Sequence, residues 1–156
     1  MNVIAPIRSE EGGPAWRQTS FWPFARMASL AHGQILRLAV SADQIPAEKF
    51  GDVDVIDAAA TWSEAEGRVA LFVANRGLDE ASDVTVDLRG LGVERVASAE
   101  VLTIPEGGDR HTSNVESAPD RVGLVPLRDV GVQDGAVRLN LPPLSWSVVE
   151  LEVAVS

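Results

Sequence analysis

At Gly33 the recurrence of apolar residues switches from helical spacing to strict alternation, and this limits the chain to one N-terminal helix followed by strands. Before the switch, Phe24, Met27, Ala28 and Ala31 fall on one helical stripe, broadened by Phe21 and Leu30. Thr19 or Ser20 is placed to cap the first turn. Pro23 is tolerated there because its missing N–H would have been unpaired, and Gly33 stands where a left-handed residue would end the helix. Ahead of the helix, an apolar run from Val3 to Ile7 predicts a strand that feeds a glycine-proline turn, with Arg17 and Gln18 set between aromatics. Strand, loop and helix in that order make the last unit of a β/α barrel. The earlier units are not among these 156 residues, so the chain is expected to be the tail of a larger enzyme.

Beyond Gly33 the strands follow in quick succession. Ile35 to Val40 predicts one, a polar linker from Ser41 to Asp52 containing Pro46 follows, and Val53 to Trp62 predicts a long strand that turns at Glu64 to Gly67 into Arg68 to Asn75. In that last strand Val69, Leu71 and Val73 point to one side and Ala70, Phe72 and Ala74 to the other, which makes it central. Val84, Val86 and Leu88 alternate with charged residues and predict a half-exposed strand. Val96 to Ile104, Val122 to Val130, Ala136 to Leu141 and Leu144 to Val153 predict four more, with Asp134-Gly135 as a turn and Pro142-Pro143 as a break. Pro105 to Pro119 is polar and reads as a long, partly disordered surface loop. There is no internal repeat. The expected fold is mainly β: an antiparallel β-sandwich of jelly-roll type over residues 34–156, preceded over residues 1–33 by one strand and one helix left from a truncated barrel.

Composition removes several function classes. With 13 basic against 23 acidic residues and a formal net charge of −10, most of the surface repels a phosphate backbone, so nucleic acid is excluded as a partner. No apolar run reaches the roughly 18 residues of a membrane span, and no membrane partner is expected. The absence of cysteine excludes disulfides, thiolate metal sites and a cysteine nucleophile.

The remaining chemistry-bearing residues do not assemble in the sequence. Asp52, Asp54 and Asp57 head a strand and Glu64 and Glu66 lie in a turn, positions where acidic residues are ordinary. A glycosidase pair needs carboxyls held about 5 to 9 Å apart in a cleft. His32, at a helix end, is more simply a capping partner than a ligand, and His111 with Ser113 lies in polar loop sequence without an orienting third group. No metal-ligand spacing occurs, and neither a metal nor a cofactor is expected. Gln18 is the candidate contact. A neutral amide at the exit of a barrel strand can hydrogen-bond a sugar hydroxyl, with an exposed loop amide as the plain alternative.

Six collinear motifs carry a resemblance: NVIAPI (2–7), GGPAWRQT with FWPF (12–24), DVDVIDAAATW (52–62), FVANR (72–76), VDLRG (86–90) and LPPLSWSVVEL (141–151). Together they resemble the C-terminal region of the family 51 α-L-arabinofuranosidases. The resemblance implies a parent enzyme that is a retaining glycosidase, releasing terminal arabinofuranosyl residues from arabinan or arabinoxylan oligosaccharides through a covalent intermediate. Its two catalytic glutamates would lie upstream on the missing catalytic barrel, leaving this fragment inactive alone. It further implies a cytoplasmic location, Gln18 of the WRQT motif as the one substrate contact carried here, and a sandwich edge filled by a strand from the parent's N-terminus. An open edge and an aromatic helix predict a homo-oligomer. The alternative reading is an independent carbohydrate-binding sandwich with Trp62 and Trp146 as stacking platforms, against which stands their setting among apolar strand neighbours.

Overall fold

A computed structural model describes residues 5–154. It begins with a short antiparallel hairpin, β1 (Ile7–Ser9) with β2 (Ala15–Arg17), then α1 (Phe21–Leu30). The expected first strand is therefore displaced: Val3 and Ile4 lie outside the described residues, and what is described pairs Arg8 with Trp16.

Gly33 takes φ +80°, the left-handed conformation that glycine adopts without penalty. A Cβ there would meet the Trp62 carbonyl oxygen at 2.1 Å, so both backbone angle and space require glycine. Neither Thr19 nor Ser20 caps the helix. The N-cap residue Ser20 has helical φ/ψ of −66° and −14°, which leaves its hydroxyl out of position for the first N–H groups. The helix start is closed instead by backbone bonds from Phe21 N–H to Gln18 O and from Trp22 N–H to Thr19 O.

After the helix come β3 (Gln34–Leu36), β4 (Gln44–Ala47), β5 (Gly51–Asp54), β6 (Ile56–Ser63), β7 (Arg68–Asn75), β8 (Ser82–Asp87), β9 (Val93–Leu102), β10 (Val125–Pro126), β11 (Val130–Gln133), β12 (Ala136–Leu141) and β13 (Ser145–Val153). Six of these form one sheet in the order β10-β9-β13-β7-β6-β3, three form a second in the order β11-β12-β8, and β4 and β5 make a separate hairpin. The expected antiparallel sandwich is present. Strand β7 is central between β13 and β6, and its two apolar faces have two different coverings. Val69, Leu71 and Val73 join Val149, Leu151, Val137, Leu139 and Leu141 between the sheets, whereas Ala70 and Phe72 pack with Val148, Trp146 and Leu30 of α1 on the outer face. Burying an aliphatic side chain of this kind contributes about 1.5 to 3 kcal/mol, so the inter-sheet cluster dominates the stability of the sandwich.

Several strand limits differ from expectation, each for a local reason. The linker 41–52 holds β4 and the start of β5, whose hairpin runs on to Asp54, with Pro46 tolerated on a two-stranded ribbon whose edges are open. The long strand 53–62 is broken at Val55, whose N–H bonds Asp43 O and whose carbonyl accepts Arg76 N–H instead of a ladder partner. The stretch 122–130 is strand only at β10 and at its last residue. Val122 is drawn into a buried contact with Asn114, and Leu127 turns inward against the inter-sheet core. The β11–β12 turn is as expected, with Asp134 and Gly135 both at positive φ, the two-residue turn whose twist matches flanking strands.

Candidate functional site

Gln18 follows β2 directly, its N–H donating to Pro6 O at 2.8 Å. Its side chain is half-buried, and its Nε2 donates to the main-chain oxygen of Asn114 at 3.1 Å. The indole N–H of Trp16 donates to the same oxygen at 3.2 Å. Asn114 is 1% exposed. Its Oδ1 accepts Val122 N–H at 2.6 Å, and its Nδ2 donates to Val122 O at 2.9 Å and to Arg17 O at 3.0 Å. One buried asparagine thus ties the end of β2 to the loop between β9 and β10. A buried amide left without partners would cost more than an apolar residue there, so the full pairing of Asn114 is what permits its burial.

That loop was expected to be a long, partly disordered surface loop. It is mostly exposed, but its described residues run through successive turns with a Val115–Ala118 bridge, and Asn114 anchors it. No short-range pattern distinguishes Asn114 from its polar neighbours, because its partner Arg17 lies 97 positions away.

The aromatics at the helix entry divide by partner. Trp16 is buried with Arg8 stacked over it, and Trp22 donates its N–H to Val122 O at 3.2 Å while Arg17 lies over both Phe21 and Trp22. Phe24 is 69% exposed, and Met27, Ala28 and Ala31 are exposed with it. The stripe read from the sequence therefore points away from this domain. The opposite row, Trp22, Arg26 and Leu30 at four-residue spacing, faces the sheet, with Arg26 paired to Glu100 at 2.6 Å.

A cleft of about 390 Å³ lies beside Gln18's neighbour Thr19, between the outer end of the six-stranded sheet and the 105–122 loop. Its floor includes Trp146, stacked on Phe72 with ring centroids 6.0 Å apart, and Arg76, Asp109 and Thr112 stand at its walls. Trp62, the other tryptophan singled out above, packs against the inter-sheet core. A second depression is lined by Arg8, Glu10, Trp16 and Glu116, whose two carboxylates are exposed.

The other candidates are brought to structural partners. Asp57 forms an ion pair with Arg76 at 2.5 Å, Asp54 accepts the Gln44 amide at 3.0 Å, and Arg76 also reaches Asp54 O at 2.9 Å. The His32 ring lies 2.9 Å from Ser29 O at the helix end, the capping place expected of it. His111 sits against Arg110 and not against a nucleophile. Among the described residues no group of three or more His, Asp or Glu could hold a metal ion, and no helix is long and apolar enough to cross a membrane.

The FVANR and LPPLSW motifs meet at Asn75, which is 2% exposed. Its Nδ2 donates to Leu141 O at 3.1 Å and Pro142 O at 3.0 Å, and its Oδ1 accepts Gly77 N–H at 2.8 Å. These bonds hold the proline break of one sheet to the end of a strand in the other.

The family model described as Alpha-L-arabinofuranosidase C-terminal domain matches residues 1–145. The chain belongs to the α-L-arabinofuranosidase C-terminal domain family. It is 40% identical over 154 residues to an intracellular exo-α-(1→5)-L-arabinofuranosidase of Bifidobacterium longum, covering 96% of this chain and 27% of that protein. A Streptomyces lividans enzyme of the same description is 34% identical, with 96% and 22% covered. The structure of a family 51 α-L-arabinofuranosidase from Bifidobacterium longum superposes with TM-score 0.87 at 40% identity, over 97% of this chain and 29% of that one. A Xanthomonas axonopodis pv. citri arabinofuranosidase of the same family, at 22% identity and TM-score 0.78, shares the fold. The chain thus spans between a fifth and a third of the length of these relatives.

Proposed function

We propose that this chain is the C-terminal portion of an intracellular α-L-arabinofuranosidase and acts there as a non-catalytic structural domain that completes the substrate site through Gln18. The supporting observation is the outward stripe of α1: a helix whose most apolar row, Phe24, Met27, Ala28 and Ala31, is exposed has been selected for a neighbour outside this domain. In this reading residues 1–33 are the last unit of a catalytic barrel and residues 34–156 the accompanying sandwich. The parent's acid/base and nucleophile are glutamates upstream, and its substrates are arabinofuranosyl oligosaccharides such as those named for the relatives. The exposure of Glu10 and Glu116 supports the same division, since carboxylates in open solvent lack the separated environments of an acid and a nucleophile. The test is an assay of the purified chain with nitrophenyl α-L-arabinofuranoside. No hydrolysis is expected, and turnover that disappears when a side chain of this fragment is replaced would overturn the reading.

A second reading, an independent carbohydrate-binding module, is favoured by one feature, the indole of Trp146 in the 390 Å³ cleft. Calorimetry with arabinan oligosaccharides separates the two: saturable binding abolished by Trp146→Ala supports the module, and no heat of binding supports the structural domain.

A further inference from the structure

We infer that Asn114 is a positioning residue for Gln18, and that the loop it anchors fixes Gln18 as a hydrogen-bond acceptor toward a sugar hydroxyl. The inference rests on the reading of Gln18 as a substrate contact and deepens it. A glutamine amide can ordinarily face a ligand with either end. Here the choice is made by chemistry, because the group 3.1 Å from Nε2 is a main-chain carbonyl, which has no proton to give. Turning the amide over would set two oxygens against each other beside the buried Asn114. The nitrogen is therefore committed to the loop, and the Oε1 is directed to the opposite side of the amide.

The carbonyl that sets this orientation is itself fixed twice. Trp16 Nε1, on a ring that is 7% exposed, donates to it at 3.2 Å. The Asn114 side chain grips both ends of the arrangement, taking Val122 N–H with Oδ1 and reaching Arg17 O, one residue before Gln18, with Nδ2. A sandwich loop thus sets the rotamer of a residue that follows β2, on the other side of α1 in the chain. The site requires a pre-organised acceptor: a hydroxyl donating to an oxygen already in place loses less ordering entropy than one that must select among amide rotamers.

The experiment is a double-mutant cycle in a chimera that joins this full chain to the barrel portion of the Bifidobacterium longum relative, read as kcat and KM on nitrophenyl α-L-arabinofuranoside. Gln18→Ala should lower kcat/KM by at least about tenfold, and Asn114→Ala should lower it by a comparable factor in the wild-type background but by no more than about twofold in the Gln18→Ala background. Full additivity of the two would overturn the positioning role while leaving the contact itself in place. An unchanged kcat/KM in Gln18→Ala would overturn the contact and the inference with it. Should Asn114→Ala fail to fold, Asn114→Asp keeps the shape and the bond from Val122 N–H while losing both donations, and it should behave the same way in the cycle. Independently of turnover, 15N spectra of the full 156-residue chain should contain a Gln18 side-chain amide, assigned by its loss in Gln18→Ala, with one proton protected from exchange. Two freely exchanging protons would overturn the proposal.

Discussion

Asn75 illustrates how much a single buried amide carries in this fold. Its bonds to Leu141 O, Pro142 O and Gly77 N–H, with a longer one to Glu80 O, connect the end of β7 to the end of β12 and the proline break that follows it. Asn75→Ala should destabilise the chain by roughly 2 to 4 kcal/mol, because it leaves buried carbonyls unpaired as well as deleting the bonds. Urea denaturation followed by tryptophan fluorescence measures this, and a loss below about 1 kcal/mol would contradict the assigned role. Asp109 is different in kind, since it is exposed and acts on its own turn. The His111 N–H at 2.8 Å, helped by the Thr112 hydroxyl, holds its carboxyl below the usual aspartate range. A depressed value means that the turn is favoured above the unfolded value and that the contribution is lost as pH falls through the lower folded value. The 13C resonance of the Asp109 carboxyl should accordingly titrate with a midpoint below that of an aspartate in an unstructured peptide. In His111→Pro, which removes the main bond, that midpoint should move upward.

The helix and the loop are where reading the sequence reached its limit, and for different reasons. Helical spacing reveals which residues share a stripe, but α1 has apolar residues on two sides, and spacing alone does not say which side this domain covers. Packing decided it: Leu30 meets Phe72 and Val148, whereas Phe24 is left 69% exposed. At dilutions where the chain is monomeric, Phe24→Ser should change the unfolding free energy by no more than about 0.5 kcal/mol, as for other surface changes, while Leu30→Ser should lower it clearly. Differential scanning calorimetry of the two variants checks the pair, and the reverse order would mean that the outward face is misassigned. The 105–122 loop was legible as polar and turn-rich, yet its anchor was not. The strands were read more faithfully, since alternation depends only on neighbours two positions away; the β12 limits agree with expectation and β9 differs only at its ends, while the long strand expected over 53–62 is split at Val55 into β5 and β6.

For the molecule as a whole, the outward row of α1 is part of a wider exposed apolar surface. Phe24 and Met27 on the helix, Ile7 on β1 and Ile35 on the edge strand β3 are all exposed, with Ile35 at 86%. Light scattering of the purified chain should therefore give a dimer or larger species whose mass falls toward that of a monomer in Phe24→Ser with Ile35→Ser. A monodisperse monomer at all concentrations would count against self-association through these surfaces. Net charge of −10 opposes such association over the rest of the surface, and raising the salt concentration should promote it.

The division between local and distant causes runs through the whole chain. Local alternation, the glycine at position 33 and the turn residues at 134 and 135 were enough to specify one helix, a succession of strands and the β11–β12 hairpin, because each of those depends on residues close together in the chain. The collinear motifs were enough to place it in its family. Which face of α1 is covered, how Trp16 and Gln18 are held, and why Asn75 and Asn114 are buried were decided only when segments some 40 to 120 positions apart were brought together. A polar side chain becomes buried only where distant backbone groups satisfy it, and the identity of those groups is a property of the fold.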